Sequence, residues 1–533
     1  MKQVKESCVP DRNFSKHHAR RWIRILSALS CSIAGMAVLQ ANAFDFNDVS
    51  SQAQSLAQER YDAPAHSLSS SLSALDYTHY RDIHFKNEYA LWHGQGLPFE
   101  LGFYPEGMVY DTPVEVNEVT GDQVHALTYA PEQFDWSANA SLKPEELASL
   151  GYAGFEVRYG LGDGQRHPVM AFLGASYFRA IGENQHFGVT GRSVAIDTGL
   201  SSGEQMPQFK RFWVVKPSPG DRYLIIYALL DSPSVTGAYR FVLRPGEDSI
   251  VDVQSRLFMR DKVNKLGIAP LASMFYYGSA QPSNRDNFRP AMHTSDGLLV
   301  RDDKDDWTWQ PLLNPRRLNI NDYEMPRLAG FGLMQRDHDF SHYQDVDERY
   351  DQRPSVWVEP TQNWGAGKVQ LIQIPSPDET NDNVVAFWQP QTLPSKGQSY
   401  DFNYRMTFTS NEPRLYSNQL AWVDSTRRSE GEVKQGDTSR KNDGTVAYIV
   451  DFRGDNLKSL SAQSVVTADV LPSDNVEVVS ADVARQPVID GYRLTLKLRV
   501  KDASKSQDVR AFIKDGTGHR LSETWRLLKT SDA

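Results

Sequence analysis

Tyr400-Asp401-Phe402-Asn403-Tyr404-Arg405-Met406-Thr407-Phe408 carries a large apolar side chain at every second position. A period of two is the signature of a strand with one buried and one wet face. The same rhythm returns downstream in Val446, Tyr448, Val450 and Phe452, and again in Tyr492, Leu494, Leu496, Leu498 and Val500. Upstream, short alternating segments run from about Tyr89 onward. Arg240–Leu243 and Ser249–Val253 flank Arg244-Pro245-Gly246-Glu247-Asp248, whose residues suit a hairpin turn. Arg222–Leu229 is more continuously apolar, as expected of a central strand covered on both faces. The fold class read from these patterns is all-β.

Helices are expected to be few, and two candidates stand out. Asp48 is the expected cap of one running to about Tyr61, with Val49, Ala53, Leu56 and Ala57 on a face. Lys143-Pro144-Glu145-Glu146-Leu147 opens a second, with an early proline and acids in its first turn. Pro390, Pro394 and Gly397 mark a boundary within Gln389–Ser399. The expected division is residues 44–390 as a large antiparallel β-sandwich, a linker at 391–399, and residues 400–533 as an immunoglobulin-like sandwich of evenly spaced short strands.

The first 43 of the 533 residues differ in kind. Lys16, Arg20, Arg21 and Arg24 precede an apolar run from Ile25 to Leu39, and Ala41-Asn42-Ala43 then offers small residues for cleavage before Phe44. That order is expected of a secretory signal. The run is shorter than the roughly 20 residues that span a bilayer, so no membrane insertion is expected after cleavage. Export by the Sec route fits better than the twin-arginine route, because Trp22-Ile23-Arg24 is a poor sequel to Arg20-Arg21. Both cysteines, Cys8 and Cys31, fall in this segment, which removes disulfides and thiol chemistry from the expected mature chain.

The whole chain holds 57 Lys and Arg against 67 Asp and Glu. Without the seven basic and two acidic residues of the first 43, the balance is 50 against 65, or −15. So acidic a surface disfavours nucleic acid and anionic lipid. Eleven tryptophans and 23 tyrosines suit a neutral carbohydrate instead, since aromatic faces stack on the C–H faces of sugar rings while most of such residues remain core.

Nucleotide phosphate loops and the HExxH motif are absent, and no cofactor or metal is expected. His338 and His342, flanked by Asp337 and Asp339, are a weak metal pattern within an irregular segment. Arg301–Asp306 reads as a solvated turn. The segment from Asp378 to Asn383 lies between the strand-like Lys368–Ile374 and Val384–Trp388. It offers oxygen ligands for calcium without the glycine and terminal glutamate of an EF-hand. It also offers a carboxylic acid that could protonate a glycosidic oxygen, with a second carboxylate needed across the sugar. A simple turn is the third reading.

Phe172-Leu173-Gly174-Ala175-Ser176-Tyr177-Phe178-Arg179, Tyr227-Ala228-Leu229-Leu230-Asp231-Ser232, Thr236-Gly237-Ala238-Tyr239, Gly332-Leu333 with Asp339-Phe340-Ser341, and Arg353-Pro354-Ser355 resemble the periplasmic glucans biosynthesis protein G/D family (OpgG/MdoG and OpgD). The resemblance runs from about Phe44 to Ser522-Glu523-Thr524-Trp525 and is closer to the G branch. It implies a periplasmic protein needed to make osmoregulated periplasmic glucans with a β-1,2-linked backbone. It further implies a mutarotase-like, carbohydrate-active large sandwich joined to an immunoglobulin-like domain. Some members are similar to inverting endo-β-1,2-glucanases. The acid's motif falls on Glu379-Thr380-Asn381-Asp382-Asn383, making Asp382 the implied acid, and Tyr350 matches a tyrosine near it. The base's motif, His-Asp-Ser, is here His293-Thr294-Ser295-Asp296. Threonine has no titratable acid in range, so it cannot serve as that base. Asp296 is the substitute if it shares Thr294's face, as two residues on a strand would.

Glucan is therefore the expected partner, bound by some of Tyr177, Arg179, His293, Trp307, Trp309, Tyr350, Arg353, Trp357 and Trp364. A slow endo-glucanase and a non-catalytic scaffold that docks glucan or the membrane glucosyltransferase both fit. A sugar-ring isomerase is a third option, for which no histidine pair argues. A homodimer is compatible with the sequence.

Overall fold

The computed structural model describes residues 43–530 apart from 65–67, 163, 284, 417–419 and 436–438. The expected export signal and both cysteines lie outside the described residues, Ala43 excepted. The fold is all-β, as the alternation demanded.

Two large sheets face each other. One has ten strands in the order Phe99–Pro105, Tyr152–Gly160, Arg166–Leu173, Tyr177–Ala180, Thr190–Arg192, Leu266–Ser273, Val384–Pro390, Gly367–Gln373 and Asn319–Met325, with Val194–Ile196 also pairing Leu266–Ser273. The other has fourteen and includes the hairpin Val235–Arg244 with Ser249–Met259, closed at Arg244 opposite Ile250 as its turn residues foretold. Leu224–Asp231 lies between Gln208–Val215 and that hairpin, the central position its apolar run required. Inward side chains interleave: the Phe155 and Phe172 rings meet Phe212 at centroid distances of 5.0 and 5.1 Å, and Phe178 meets Phe241 at 5.1 Å. Offset and edge contacts of this kind add to area burial in a core.

Two expectations need correction. The first helix spans Phe46–Gln58, and its cap is Asp45, not Asp48. Asp48 stands three residues on and accepts the Asp45 N–H at 2.7 Å, while Asp45 accepts the Asn47 N–H at 2.7 Å, a reciprocal capping box. Both acids suit the site chemically, so composition alone cannot pick between them. The second helix, Pro144–Ala148, stands where the sequence placed it.

The other correction concerns Ser399–Thr409, assigned above to the C-terminal sandwich. It pairs Ser249–Met259 on one side and Ser355–Pro360 on the other, in the middle of the fourteen-stranded sheet. Alternation identifies a half-buried strand but not its neighbours, and here the neighbours belong to the large unit. Seven strands follow residue 412 among the described residues. Four form a separate sheet. The other three, Val466–Pro472, Gln507–Asp515 and Thr524–Lys529, extend the fourteen-stranded sheet through a parallel pairing of Thr524–Lys529 with Trp307–Pro311.

Candidate functional site

The outer face of the ten-stranded sheet carries polar side chains where its inner face carries phenylalanines. Glu156 lies between the core residues Phe155 and Val157, and pairing sets Gly102, Glu156, Ala171 and Arg179 in one row. Tyr104 donates its hydroxyl to Glu156 at 2.7 Å, and Arg158 donates Nε at 2.6 Å. A side chain at Gly102 would stand 2.8 Å from Arg158 Nη2, so glycine there leaves room for the ion pair. One strand further, Arg192 lies opposite Tyr177 with its guanidinium 5.2 Å from that ring's centre, and it is paired with Glu204.

Asp382 reaches this face from the connection between Gly367–Gln373 and Val384–Pro390. Its neighbour Asn383 fixes the backbone: Oδ1 accepts the Phe275 N–H at 2.8 Å, and Nδ2 donates to the carbonyls of Phe275 and Ile374 at 2.9 and 3.1 Å. The Asp382 side chain is open to solvent, yet desolvation by the surrounding protein is the main influence raising its pKa, opposed by Arg179, Arg353 and Arg192 in that order. Reachable from solvent yet desolvated by the protein around it, this carboxyl and its three arginines form the candidate recess. Raising its pKa is what lets a carboxylic acid hold a proton for donation.

Arg353 joins this recess to residue 294. It donates to Thr294 Oγ1 and, through Nη2 at 2.6 Å, to Glu348, and its guanidinium lies 4.3 Å from the centre of the Tyr350 ring. Tyr350 is 2% exposed, and burial pushes its hydroxyl up to about 12. Gly188 permits the approach, since a Cβ there would lie 3.0 Å from Arg353 and 3.1 Å from Thr294 Cγ2. Behind them, buried Gln335 accepts His293 Nδ1–H at 2.9 Å and donates to the Tyr350 carbonyl and the Tyr343 hydroxyl, both at 3.0 Å. Burial pushes His293 down to about 4. Its neutral ring therefore keeps Nε2 as an acceptor.

Asp296 does not share Thr294's surroundings. The strand Met292–His293 ends before Thr294, and the next, Gly297–Asp302, begins after Asp296, so the period of two does not hold between them. Both Asp296 oxygens lie 3.3 Å from the Arg336 backbone N–H, and burial pushes the carboxyl up to about 8 against the pull of Arg336. It lines a separate cleft with Trp309, Asp337 and Asp424.

The expected tryptophan platform is also displaced. Trp307 and Trp357 are fully buried, stacked at 5.3 Å, and Trp309 lies beneath the Arg336 guanidinium at 3.5 Å. Trp364 packs edge-on against Phe402 and Tyr404 in the main core. Tyr177, Arg179 and Arg353 stay with Asp382, and Tyr350 lies beneath Arg353. His338 and His342 are turned to different partners, the Asp351 carbonyl at 2.7 Å and the Asp337 carboxylate at 2.7 Å. Sequence reading missed Tyr104, Glu156, Arg192 and Glu348. Glu156 between Phe155 and Val157 was a legible signal, a charge inside an apolar strand.

The family model described as periplasmic glucan biosynthesis protein, MdoG, matches residues 44–528. The chain is 47% identical to glucans biosynthesis protein G of Pectobacterium atrosepticum over 506 residues, 95% of this chain and 96% of that one. It is 46% identical to the protein of the same name from Pseudomonas aeruginosa over 524 residues, 98% and 99% of the two chains. A third, from Serratia proteamaculans, is 47% identical over 484 residues, 91% and 92%. No helix among the described residues is long and apolar enough to cross a membrane. With strands, recess and likeness over nearly its whole length in agreement, the chain belongs to the periplasmic glucan biosynthesis protein family typified by glucans biosynthesis protein G.

Proposed function

We propose that the protein, exported to the periplasm by its first 43 residues, holds the β-1,2-linked backbone of a periplasmic glucan in the recess around Asp382. The single observation that carries this reading is Asp382 itself: solvent-open, desolvated, and framed by Arg179, Arg192, Arg353 and Tyr177. Guanidinium and phenol groups supply the donors and ring faces that sugar hydroxyls and C–H faces need. Asp382 is the general acid of an endo-glucanase-like arrangement. In an inverting cleavage water attacks the anomeric carbon, the glycosidic C–O bond breaks, and the acid's proton goes to the departing oxygen while a base takes the proton of the water.

The base is the weak side. Thr294 stands in its place with its oxygen already occupied by Arg353, and loss of a general base lowers a rate by about 10²- to 10⁴-fold. Glucan binding thus dominates over cleavage. A scaffold that binds nascent glucan, or docks the membrane glucosyltransferase, without any cleavage is the second reading, favoured by the same Thr294–Arg353 contact. The C-terminal strands are read as an immunoglobulin-like module beginning after residue 412.

The experiment is to incubate wild type, Asp382→Asn and Thr294→Asp with linear β-1,2-glucan and follow new reducing ends, with calorimetric binding in parallel. Binding by all three, slow cleavage by wild type and a gain of about a hundredfold or more in Thr294→Asp are expected. Cleavage unaffected by Asp382→Asn would remove Asp382 as the acid. Binding without cleavage in every variant would establish the scaffold.

A further inference from the structure

The cleft that takes in Asp296 has a volume of about 780 Å³, within the roughly 300–1,000 Å³ of small-molecule sites. It adjoins the Asp382 recess through His293, whose ring Gln335 ties to the Tyr350 carbonyl. One wall is Phe275, His293, Asp296 and the 337–342 loop; the other is Asp424–Arg427 with Arg453, from the strands that follow residue 412.

Its guanidinium groups are already matched. Arg336 is bound by Glu412 and Glu523, Arg427 by Asp451 at 2.8 Å, and Arg453 by Asp424 at 3.2 Å. Asp337 is held by His342 at 2.7 Å, and Asp339 accepts the Ser341 N–H at 2.8 Å. No guanidinium on this wall lacks a carboxylate, so an anionic ligand would have to displace a protein acid. The wall instead offers acceptor nitrogens. His338 spends Nδ1–H on the Asp351 carbonyl at 2.7 Å, which leaves its Nε2 as an acceptor, and His293 is in the same state through Gln335. Phe340, 36% exposed, adds a ring at the rim. Matched guanidinium groups, acceptor nitrogens and a half-exposed aromatic ring describe a site for a neutral polyhydroxylated ligand.

We propose that this junctional cleft is a second carbohydrate-binding site, which takes a neutral oligosaccharide segment between the 337–342 loop and the strand bearing Asp424–Arg427. The inference rests on the glucan reading of the Asp382 recess and extends it. One chain engaged at both places gains affinity through effective concentration, and the strands after residue 412 acquire a direct part in binding.

The test compares wild type with two cleft variants: a Phe340→Ala, His342→Ala double substitution in the exposed loop, and Ser425→Tyr, which fills the cleft from the opposite wall. Binding of long linear β-1,2-glucan and of a short β-1,2-glucooligosaccharide is measured by calorimetry. The expected result is a loss of about tenfold or more in affinity for the long glucan in both variants. Asp382-dependent formation of reducing ends from saturating substrate should be unchanged. Unchanged affinity in both variants, with wild type binding, would overturn the cleft site and leave the recess reading standing. No binding of either glucan by wild type would overturn both.

Discussion

Asp296 is the residue whose environment departs most from what its place in the chain suggested. Two positions beyond Thr294, it belongs to another cleft, because the chain between them is not a strand. Its carboxyl, pushed up to about 8 by burial, holds a proton in the folded protein throughout the window above the ordinary carboxylate range. Folding then takes up a proton in that window, so stability is greatest below it and falls as the pH rises towards 8. Asp296→Asn removes that dependence. The fall in Tm between about pH 6.5 and about pH 8.5 should be smaller in the variant, in which every histidine is retained. An identical fall in both proteins would mean that Asp296 ionises as an exposed carboxylate does. At this scale the sequence was half legible. Asp382 could be reached from a short motif and its strand-end position, whereas the partners of Thr294 come from residues 188 and 353, which no local pattern connects to it.

Strands were the most legible elements, since period-two burial requires only local sequence. Phe402, Tyr404, Met406 and Phe408 are all buried, as their spacing demanded. What spacing could not supply was the sheet they enter, and the same ignorance misplaced the tryptophans. An indole on a strand is equally suited to face a sugar or a second core, and only the partner sheet decides. Trp307, Trp309 and Trp357 face a core made jointly with Val423, Phe452, Leu494 and Trp525. Trp307, stacked on Trp357 and Tyr416 at 5.3 and 4.4 Å, is therefore a packing residue. Trp307→Ala should lower unfolding free energy by about 3–5 kcal/mol, read from the denaturant midpoint, with glucan affinity unchanged at temperatures where the variant is folded. Lost affinity with an unmoved midpoint would return this tryptophan to the binding surface.

Across the whole molecule, the strands after residue 412 and the large sheets share structure at three levels. The fourteen-stranded sheet passes from one to the other through the parallel contact of Thr308 and Trp309 with Thr524 and Trp525. The core around the tryptophans draws side chains from both. Arg336, at the end of Leu328–Met334, donates to Glu412, Glu523, the Val423 carbonyl and the Tyr416 hydroxyl while covering Trp309. Arg336 also follows Gln335, the side chain that ties His293 to Tyr350, so the junction and the wall of the recess are consecutive residues. A chain ending at Thr409 would keep both faces of the main core but strip Arg336 of its two carboxylates. Removing the partner of a buried charge costs about 3–5 kcal/mol, and the exposed tryptophans would add an aggregation-prone patch. Such a chain should fail to accumulate as a soluble monomer, and calorimetry of the intact protein should show one unfolding transition. A soluble truncated chain with a Tm close to that of the intact protein would show that the large sheets need none of these contacts to fold.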